Sequence, residues 1–193
     1  MAKTCLVLLA EGSEETEVVA SVDTLRRAEI NVTLASLHGK DPVTCSRGVI
    51  IVPDASLDDI DDEAVYDVIL VPGGLKGVEN LSQSPKVARL LKNHEKRGSI
   101  IAAICAGPLC LMTHSIGLGK KVTSHPSVQD KLVAGGYQYS EQIACKDGKI
   151  ITSRGPGTAI NFALLIIHEL LSPEVCEKIA KFMVMQPVDY SAF

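Results

Sequence analysis

Apolar positions fall into two rhythms that alternate along the chain. Thr4 to Ala10, Val32 to Leu37, Tyr66 to Val71 and Ile100 to Ile104 are short runs dense in aliphatic side chains and bounded by turn residues. That is the form of strands buried in a parallel sheet. Between them, Val18, Val19, Val22, Leu25 and Ala28 recur at spacings of three and four, as do Val87, Leu90 and Leu91. These predict amphipathic helices laid on the sheet, the second opening at Ser84-Pro85 and closing at Gly98. A short helix runs from Pro108 through Ser115, closed by Gly117 or Gly119. Lys121 to Pro126 reads as a strand ending in His125, and a helix through Leu132 stops at Gly135-Gly136. Ile143 to Cys145 and Lys149 to Ser153, joined by Lys146-Asp147-Gly148, read as a hairpin. Val43 to Ser46 and Gly48 to Val52 read as another, beside the main sheet. Asp58 to Glu63 is an acidic surface connection, Thr158 caps an apolar helix to Leu171, and Pro173 opens a last helix to about Met183.

Strands alternating with helices define an α/β fold. We expect a flavodoxin-like three-layer α/β/α sandwich with a mostly parallel central sheet and a small β-hairpin, built as one domain from residues 1–193. A hydrophobic content of 46% supports a sizeable core, and aromatics at 4% with no Trp favour aliphatic packing over a stacking surface for bases. The net charge of −4 argues against sequence-specific nucleic-acid binding, which needs clustered Lys and Arg. No apolar run reaches the length of a membrane helix, and the residues after Met1 enter a strand with no signal-peptide pattern, so the expectation is a cytoplasmic protein. Its six cysteines form no C-x-x-C pair and no metal-like Cys/His spacing. They read as reduced thiols, with Cys5, Cys110, Cys145 and Cys176 serving only to pack.

Cys105 differs because it stands where the Ile100 to Ile104 strand stops and Ala106-Gly107-Pro108 begins a helix. With Ala103 and Gly107 as small flanking residues, the segment is a thiol version of the nucleophile elbow. The helix start is expected to lower the thiol from about 8.5 toward the 3.5 to 7.5 range, giving a thiolate near neutrality. Sites in parallel sheets lie beyond the carboxyl ends of the strands, and other candidates share that position. Glu17 follows the first strand in the acidic cluster Glu14, Glu15 and Glu17. For Glu14 and Glu15 a favourable interaction with the helix dipole suffices. Glu17 either stays exposed or turns inward, where burial would keep it protonated, and the pattern does not decide between them. Gly73 and Gly74, after the Tyr66 to Val71 strand, are either an ordinary turn or a pair of backbone donors for an anion. His125 alone reads as a solvated turn residue whose backbone Pro126 holds extended.

These residues together resemble a known family: the Parkinsonism-associated protein deglycase group of the ThiJ/PfpI superfamily, class I glutamine amidotransferase-like in fold. The resemblance spans nearly the whole chain. It is carried by Glu14-Glu15-Thr16-Glu17, Gly39-Lys-Asp-Pro-Val43, Cys45-Ser-Arg47, Pro72-Gly-Gly74, Ala102-Ala-Ile-Cys-Ala-Gly-Pro108, Val122-Thr-Ser-His-Pro126 and Thr152-Ser-Arg-Gly-Pro-Gly-Thr158. It implies a cytosolic homodimer with Cys105 as the reactive cysteine, Glu17 as a protonated hydrogen-bond donor to its sulfur, and His125 nearby. Backbone N–H groups at Gly74 and Ala106 match the family's oxyanion donors. The implied activity needs no cofactor and no metal. It converts methylglyoxal and glyoxal, small 2-oxoaldehydes, to 2-hydroxy acids, and removes early glyoxal adducts from proteins and nucleotides. Stress sensing through cysteine oxidation, and chaperone behaviour, are also implied. Two positions depart from the pattern: Val52 stands where vertebrate members carry a second cysteine near the dimer contact, and Gln186 to Phe193 extends beyond the usual short ending.

Three functions are then in competition. The first is the cysteine-dependent glyoxalase, with Glu17 and His125 moving protons. A cysteine peptidase or amidotransferase would want a histidine oriented by a carboxylate, and none follows His125 directly. A non-enzymatic redox sensor would oxidise Cys105 to a sulfinate stabilised by Glu17.

Overall fold

The computed structural model describes residues 2–190 and 193. The first strand, β1 (Thr4–Leu9), is buried on both faces. Its alternate side chains divide the core: Cys5, Val7 and Leu9 join one apolar cluster, Leu6 and Leu8 the other. Helix α1 (Glu15–Arg27) follows and buries Val18, Val22 and Leu25 on the first of these clusters. Strand β2 (Asn31–Ser36) then pairs in parallel with β1.

Strands β3 (Val43–Thr44) and β4 (Ile50–Ile51) form the expected hairpin outside the main sheet. A short strand, β5 (Ala55–Ser56), returns to the sheet edge beside β2 and was not visible in the sequence pattern. Strand β6 (Val68–Val71) is buried throughout, and helix α2 (Leu75–Gln83) follows it where only a turn was expected. Helix α3 (Pro85–Arg97) starts at Ser84, whose side chain accepts from Val87 N–H, and ends at Gly98 with φ of 72°, a left-handed cap. Strand β7 (Ile100–Ile104) leads into α4 (Pro108–Thr113).

The Lys121 to Pro126 segment is a strand only over β8 (Lys121–Val122). After α5 (Gln129–Ala134), β8 pairs in parallel with β9 (Gln138–Tyr139) as a separate ladder. Strands β10 (Ala144–Asp147) and β11 (Ile150–Ser153) form the second expected hairpin. Helices α6 (Ala159–Leu170) and α7 (Pro173–Phe182) complete the first face. Helix α6 is apolar nearly all round because α1, α7 and the sheet enclose it. The tail beyond α7 folds back on α6: Tyr190 is buried and its hydroxyl accepts from Asn161 Nδ2 at 3.2 Å. Ser191 and Ala192, part of the extended C-terminus, lie outside the described residues.

Among the described residues the main sheet has seven strands in the order β10-β11-β7-β6-β1-β2-β5, all parallel except β10. Helices α1, α6 and α7 cover one face and α2 to α5 the other, a three-layer α/β/α sandwich. The chain leaves β1 in one direction toward β2 and in the other toward β6, β7 and β11. Between β1 and β6 the winding therefore reverses, and the carboxyl ends there splay apart to leave a crevice.

Candidate active site

Four connections converge on that crevice. After β1 the chain turns at Glu11-Gly12, and Ser13, fully buried, fixes the turn by accepting from Ala10 N–H at 3.1 Å. Glu14 caps α1, its Oε2 accepting from Glu17 N–H at 2.7 Å, so the first helical turn is rigid where it meets the site. Glu17 turns inward and is fully buried. Its Oε2 accepts from Gly73 N–H at 2.7 Å, while Oε1 has no hydrogen-bond partner of ordinary geometry. A buried carboxylate with an unpaired oxygen is costly, whereas a carboxylic acid can turn that oxygen into a donor.

Gly73 and Gly74 are dictated by space. A Cβ on Gly73 would lie 2.6 Å from both Cys105 Cβ and Glu17 Oε2, and 3.0 Å from Cys105 Sγ. A Cβ on Gly74, whose φ is 84°, would lie 2.3 Å from Gly12 O. Gly73 thus lets the end of β6 press against the Cys105 and Glu17 side chains, and Gly74 lets it press against the turn after β1.

Cys105 itself has φ of 62°, a left-handed conformation that costs a non-glycine residue on the order of 1 kcal/mol. Among the described residues the other non-glycine positions with positive φ, Glu29, Ser115 and Val184, lie just beyond helix ends, so only Cys105 there carries this strain at a strand exit. Its backbone is held on both sides, N–H to Ser153 O at 3.0 Å and C=O from His125 N–H at 2.9 Å. Gly107 allows the turn, since a Cβ there would lie 2.6 Å from Val71 O. The thiol is the one partly exposed cysteine of six, and the N–H groups of Ala106 and Gly74 point to the sulfur.

The electrostatics depart from the expectation of a thiol lowered by a helix start. Burial, then the charge and hydrogen bond of Glu17, push Cys105 up to about 12, outweighing the Ala106 and Gly74 amides. Burial likewise raises Glu17 to about 7, helped by the charge of Glu14 and opposed by the Gly73 amide and Cys105. Near neutrality the thiol therefore keeps its proton while Glu17 sheds one; the two are coupled, and a thiolate forms when the thiol proton passes to ionised Glu17.

His125 reaches the crevice differently from the sequence expectation, in which it ended a strand of the sheet. It lies three residues beyond the short β8, placed by its N–H bond to Cys105 O and by Thr123 N–H donating to Thr152 Oγ1 at 2.8 Å. Its ring is exposed, with Nδ1 2.8 Å from Ser127 Oγ and accepting from Ser127 N–H at 3.3 Å. That acceptance assigns the proton of the neutral ring to Nε2. The place a carboxylate takes in a hydrolytic triad is filled by a hydroxyl and an amide, which disfavours the peptidase and amidotransferase reading.

The crevice opens as a cleft of about 600 Å³ lined on one side by Gly74, Cys105, Ala106 and His125. Its other side is Thr44 to Arg47 of the β3–β4 hairpin, with Glu17 lying behind the sulfur, out of solvent. The sequence pattern placed this hairpin beside the sheet, and nothing in its polarity showed that it closes over the strand ends. It also missed Glu15, which is 6% exposed and reaches into the hairpin. Among the described residues no group of three or more His, Cys, Asp or Glu side chains is placed to hold a metal ion.

The pattern of the DJ-1/PfpI family matches residues 3–169. The chain belongs to that family. It is 52% identical over 185 residues to the Parkinson disease protein 7 homolog of Danio rerio, covering 95% of this chain and 98% of that one. It is 41% identical to the glutathione-independent glyoxalase DJR-1.2 of Caenorhabditis elegans, covering 93% and 95%. The crystal structure of Drosophila melanogaster DJ-1beta superposes with a TM-score of 0.94 at 45% identity, over 97% of this chain and 100% of that one. The family resemblance read from the motifs around Cys105, Glu17 and His125 is thereby established, as is the sandwich fold. No helix among the described residues is long and apolar enough to cross a membrane.

Proposed function

We propose that this DJ-1/PfpI protein is a glutathione-independent glyoxalase and deglycase that works through a hemithioacetal on Cys105. The observation that carries the reading is a fully buried carboxyl, Glu17, set against the partly exposed Cys105 thiol at the floor of an open cleft. Such a pair supplies a nucleophile and an acid from a single proton. The naming of the C. elegans relative as a glutathione-independent glyoxalase points the same way.

The steps balance within the substrate. With the proton on Glu17, the thiolate attacks the aldehyde carbon of methylglyoxal, a C–S bond forms, and the carbonyl electron pair moves to oxygen. The N–H groups of Gly74 and Ala106 receive the developing oxyanion, each donor worth about 3 to 4 kcal/mol. Glu17 delivers its proton to that oxygen, giving the hemithioacetal. Ionised Glu17 then removes the hydrogen on the former aldehyde carbon, leaving an enediolate to whose oxygen His125 Nε2–H can donate, and reprotonation by Glu17 at the neighbouring carbon gives a thioester of the 2-hydroxy acid. Water cleaves the C–S bond, and the thiol is recovered. One carbon is oxidised as its neighbour is reduced, so no external oxidant or reductant enters.

The same reading takes residues 1–193 as one cytoplasmic domain that functions as a homodimer. Val19, Val49, Ile50 and Val52 are each at least 50% exposed, and a groove bounded by Val18, Val22, Leu34 and Ile51 lies among them. An apolar face of this kind is what a second copy covers. The alternative sensor function is favoured by one observation, that Cys105 alone among the cysteines is reachable by an oxidant. Lactate formation from methylglyoxal without glutathione, by wild type and Cys105→Ala, separates the two. Turnover that vanishes in Cys105→Ala supports the enzyme; an inert wild type whose Cys105 still oxidises selectively supports the sensor.

A further inference from the structure

The acidic cluster that opens α1 performs three separate tasks, and the middle one is unexplained by the chemistry at Cys105. Glu14 caps the helix and Glu17 meets the thiol. Glu15 points the other way, into the β3–β4 hairpin. Its Oε2 accepts from Ser46 Oγ at 2.8 Å and its Oε1 from Arg47 N–H at 2.8 Å, with Val49 N–H at 3.4 Å. Burial alone would raise this carboxyl, yet the bonds from its own amide, Ser46, Arg47 and Val49 outweigh burial and hold it below the usual range. It is a charged clamp on a two-strand hairpin otherwise anchored by Val43 and Cys45, buried in the cluster beneath α1, since isolated hairpins are marginal in water. Two backbone hydrogen bonds to the turn after β1 add to this, Gly12 N–H to Thr44 O at 2.9 Å and Ser46 N–H to Ser13 O at 2.8 Å.

The clamped segment is the far wall of the cleft. A three-carbon aldehyde bonded to Cys105 occupies a small part of about 600 Å³, a volume that suits a much larger ligand. We propose that Glu15 is a positioning residue that fixes the Thr44 to Arg47 wall, and that this wall binds the part of a 2-oxoaldehyde or glyoxal adduct remote from the reacting carbonyl. The substrate half of the proposal rests on the glyoxalase reading, whereas the clamp does not.

The test compares wild type, Glu15→Gln and Glu15→Ala in initial-rate kinetics with methylglyoxal and with phenylglyoxal. Peptide-resolved iodoacetamide labelling of Cys45, 5% exposed within the hairpin, reports on the wall itself. Glu15→Ala is expected to raise KM for phenylglyoxal about tenfold, with kcat and the methylglyoxal KM changing less than about twofold, the signature of a lost remote contact. Cys45 labelling, compared as the rate per thiolate from its pH dependence because the Glu15 charge also raises that thiol, should accelerate about tenfold or more as the hairpin opens more often. Glu15→Gln should fall between, because its carbonyl still accepts from Arg47 N–H. A folded Glu15→Ala with wild-type Cys45 labelling overturns the clamp, and equal losses with both aldehydes overturn the remote-wall assignment. If Glu15→Ala does not fold, Ser46→Ala takes its place, and unchanged labelling and phenylglyoxal KM there count against the proposal. Inert wild type with faster Cys45 labelling in the variant retains the clamp and removes the aldehyde.

Discussion

Replacing Glu17 with Gln tests the proton retained by this buried carboxyl through stability alone, without any substrate. Glu17 is fully buried, and its displacement from 4.5 to about 7 corresponds to a preference of about 3 kcal/mol for the neutral form. Because the folded value lies above the unfolded one, the folded protein keeps a proton that the unfolded chain has already released. The associated stability is complete below pH 4.5 and is lost as pH rises through about 7. Gln has no proton to lose, so the stability of wild type relative to Glu17→Gln should fall by about 3 kcal/mol from about pH 4 to about pH 8. Urea unfolding at one fixed protein concentration, repeated across that range, measures the difference. Repeating the pair in a Cys105→Ala background removes the titration of the thiol, and the fall should persist because burial is the largest cause of the shift. Parallel pH profiles for wild type and Glu17→Gln would refute the reasoning, since Glu17 would then titrate as an ordinary surface carboxyl.

Gly73→Ala places a Cβ 2.6 Å from Cys105 Cβ and Glu17 Oε2 and must displace one of them, so kcat/KM with methylglyoxal should drop on the order of 10²-fold. Far-UV circular dichroism checks that the fold survives. Mild peroxide followed by peptide mass spectrometry should find sulfinate first at Cys105, the partly exposed thiol, before the buried Cys45 or Cys145. Ile50→Glu puts a charge on a side chain that is 64% exposed in the apolar face of the hairpin. Sedimentation should show the wild type at twice the chain mass and the variant at the chain mass; a variant that stays dimeric would move the interface elsewhere.

What the sequence disclosed depended on whether a residue's role was set locally. Strands β6 and β7 are buried on both faces, so their continuous apolar runs identified them directly. Helix α2 was missed because Leu75-Lys-Gly-Val-Glu-Asn-Leu-Ser-Gln contains an interior glycine, which disfavours a helix by about 1 kcal/mol relative to Ala. Its reason is tertiary: a Cβ on Gly77 would lie 2.6 Å from Ser13 N, in the turn that positions the site. The elbow at Cys105 was legible from its small neighbours, but the state of the thiol was not, because it depends on burial and on a carboxyl 88 positions away in the chain. Glu15 and Glu17 look alike in sequence. Only the closing hairpin and the end of β6 distinguish them, giving one a set of donors and the other a sulfur.

The central claim, that Cys105 forms the bond to substrate and Glu17 moves its proton, is tested most directly by trapping the bond. Glu17→Gln removes the charge that helps hold the Cys105 proton and still offers a donor to the sulfur, but it cannot carry the later hydrogen transfer, so with methylglyoxal addition should proceed and the reaction stall there. Rapid acid quench and peptide mass spectrometry during the reaction should then find the Cys105 peptide carrying the mass of one methylglyoxal, with little lactate formed. Wild type should show the same adduct only transiently, as lactate accumulates. Lactate produced at the wild-type rate by Glu17→Gln, or an adduct confined to Cys45 or to lysines while turnover proceeds, would contradict the account.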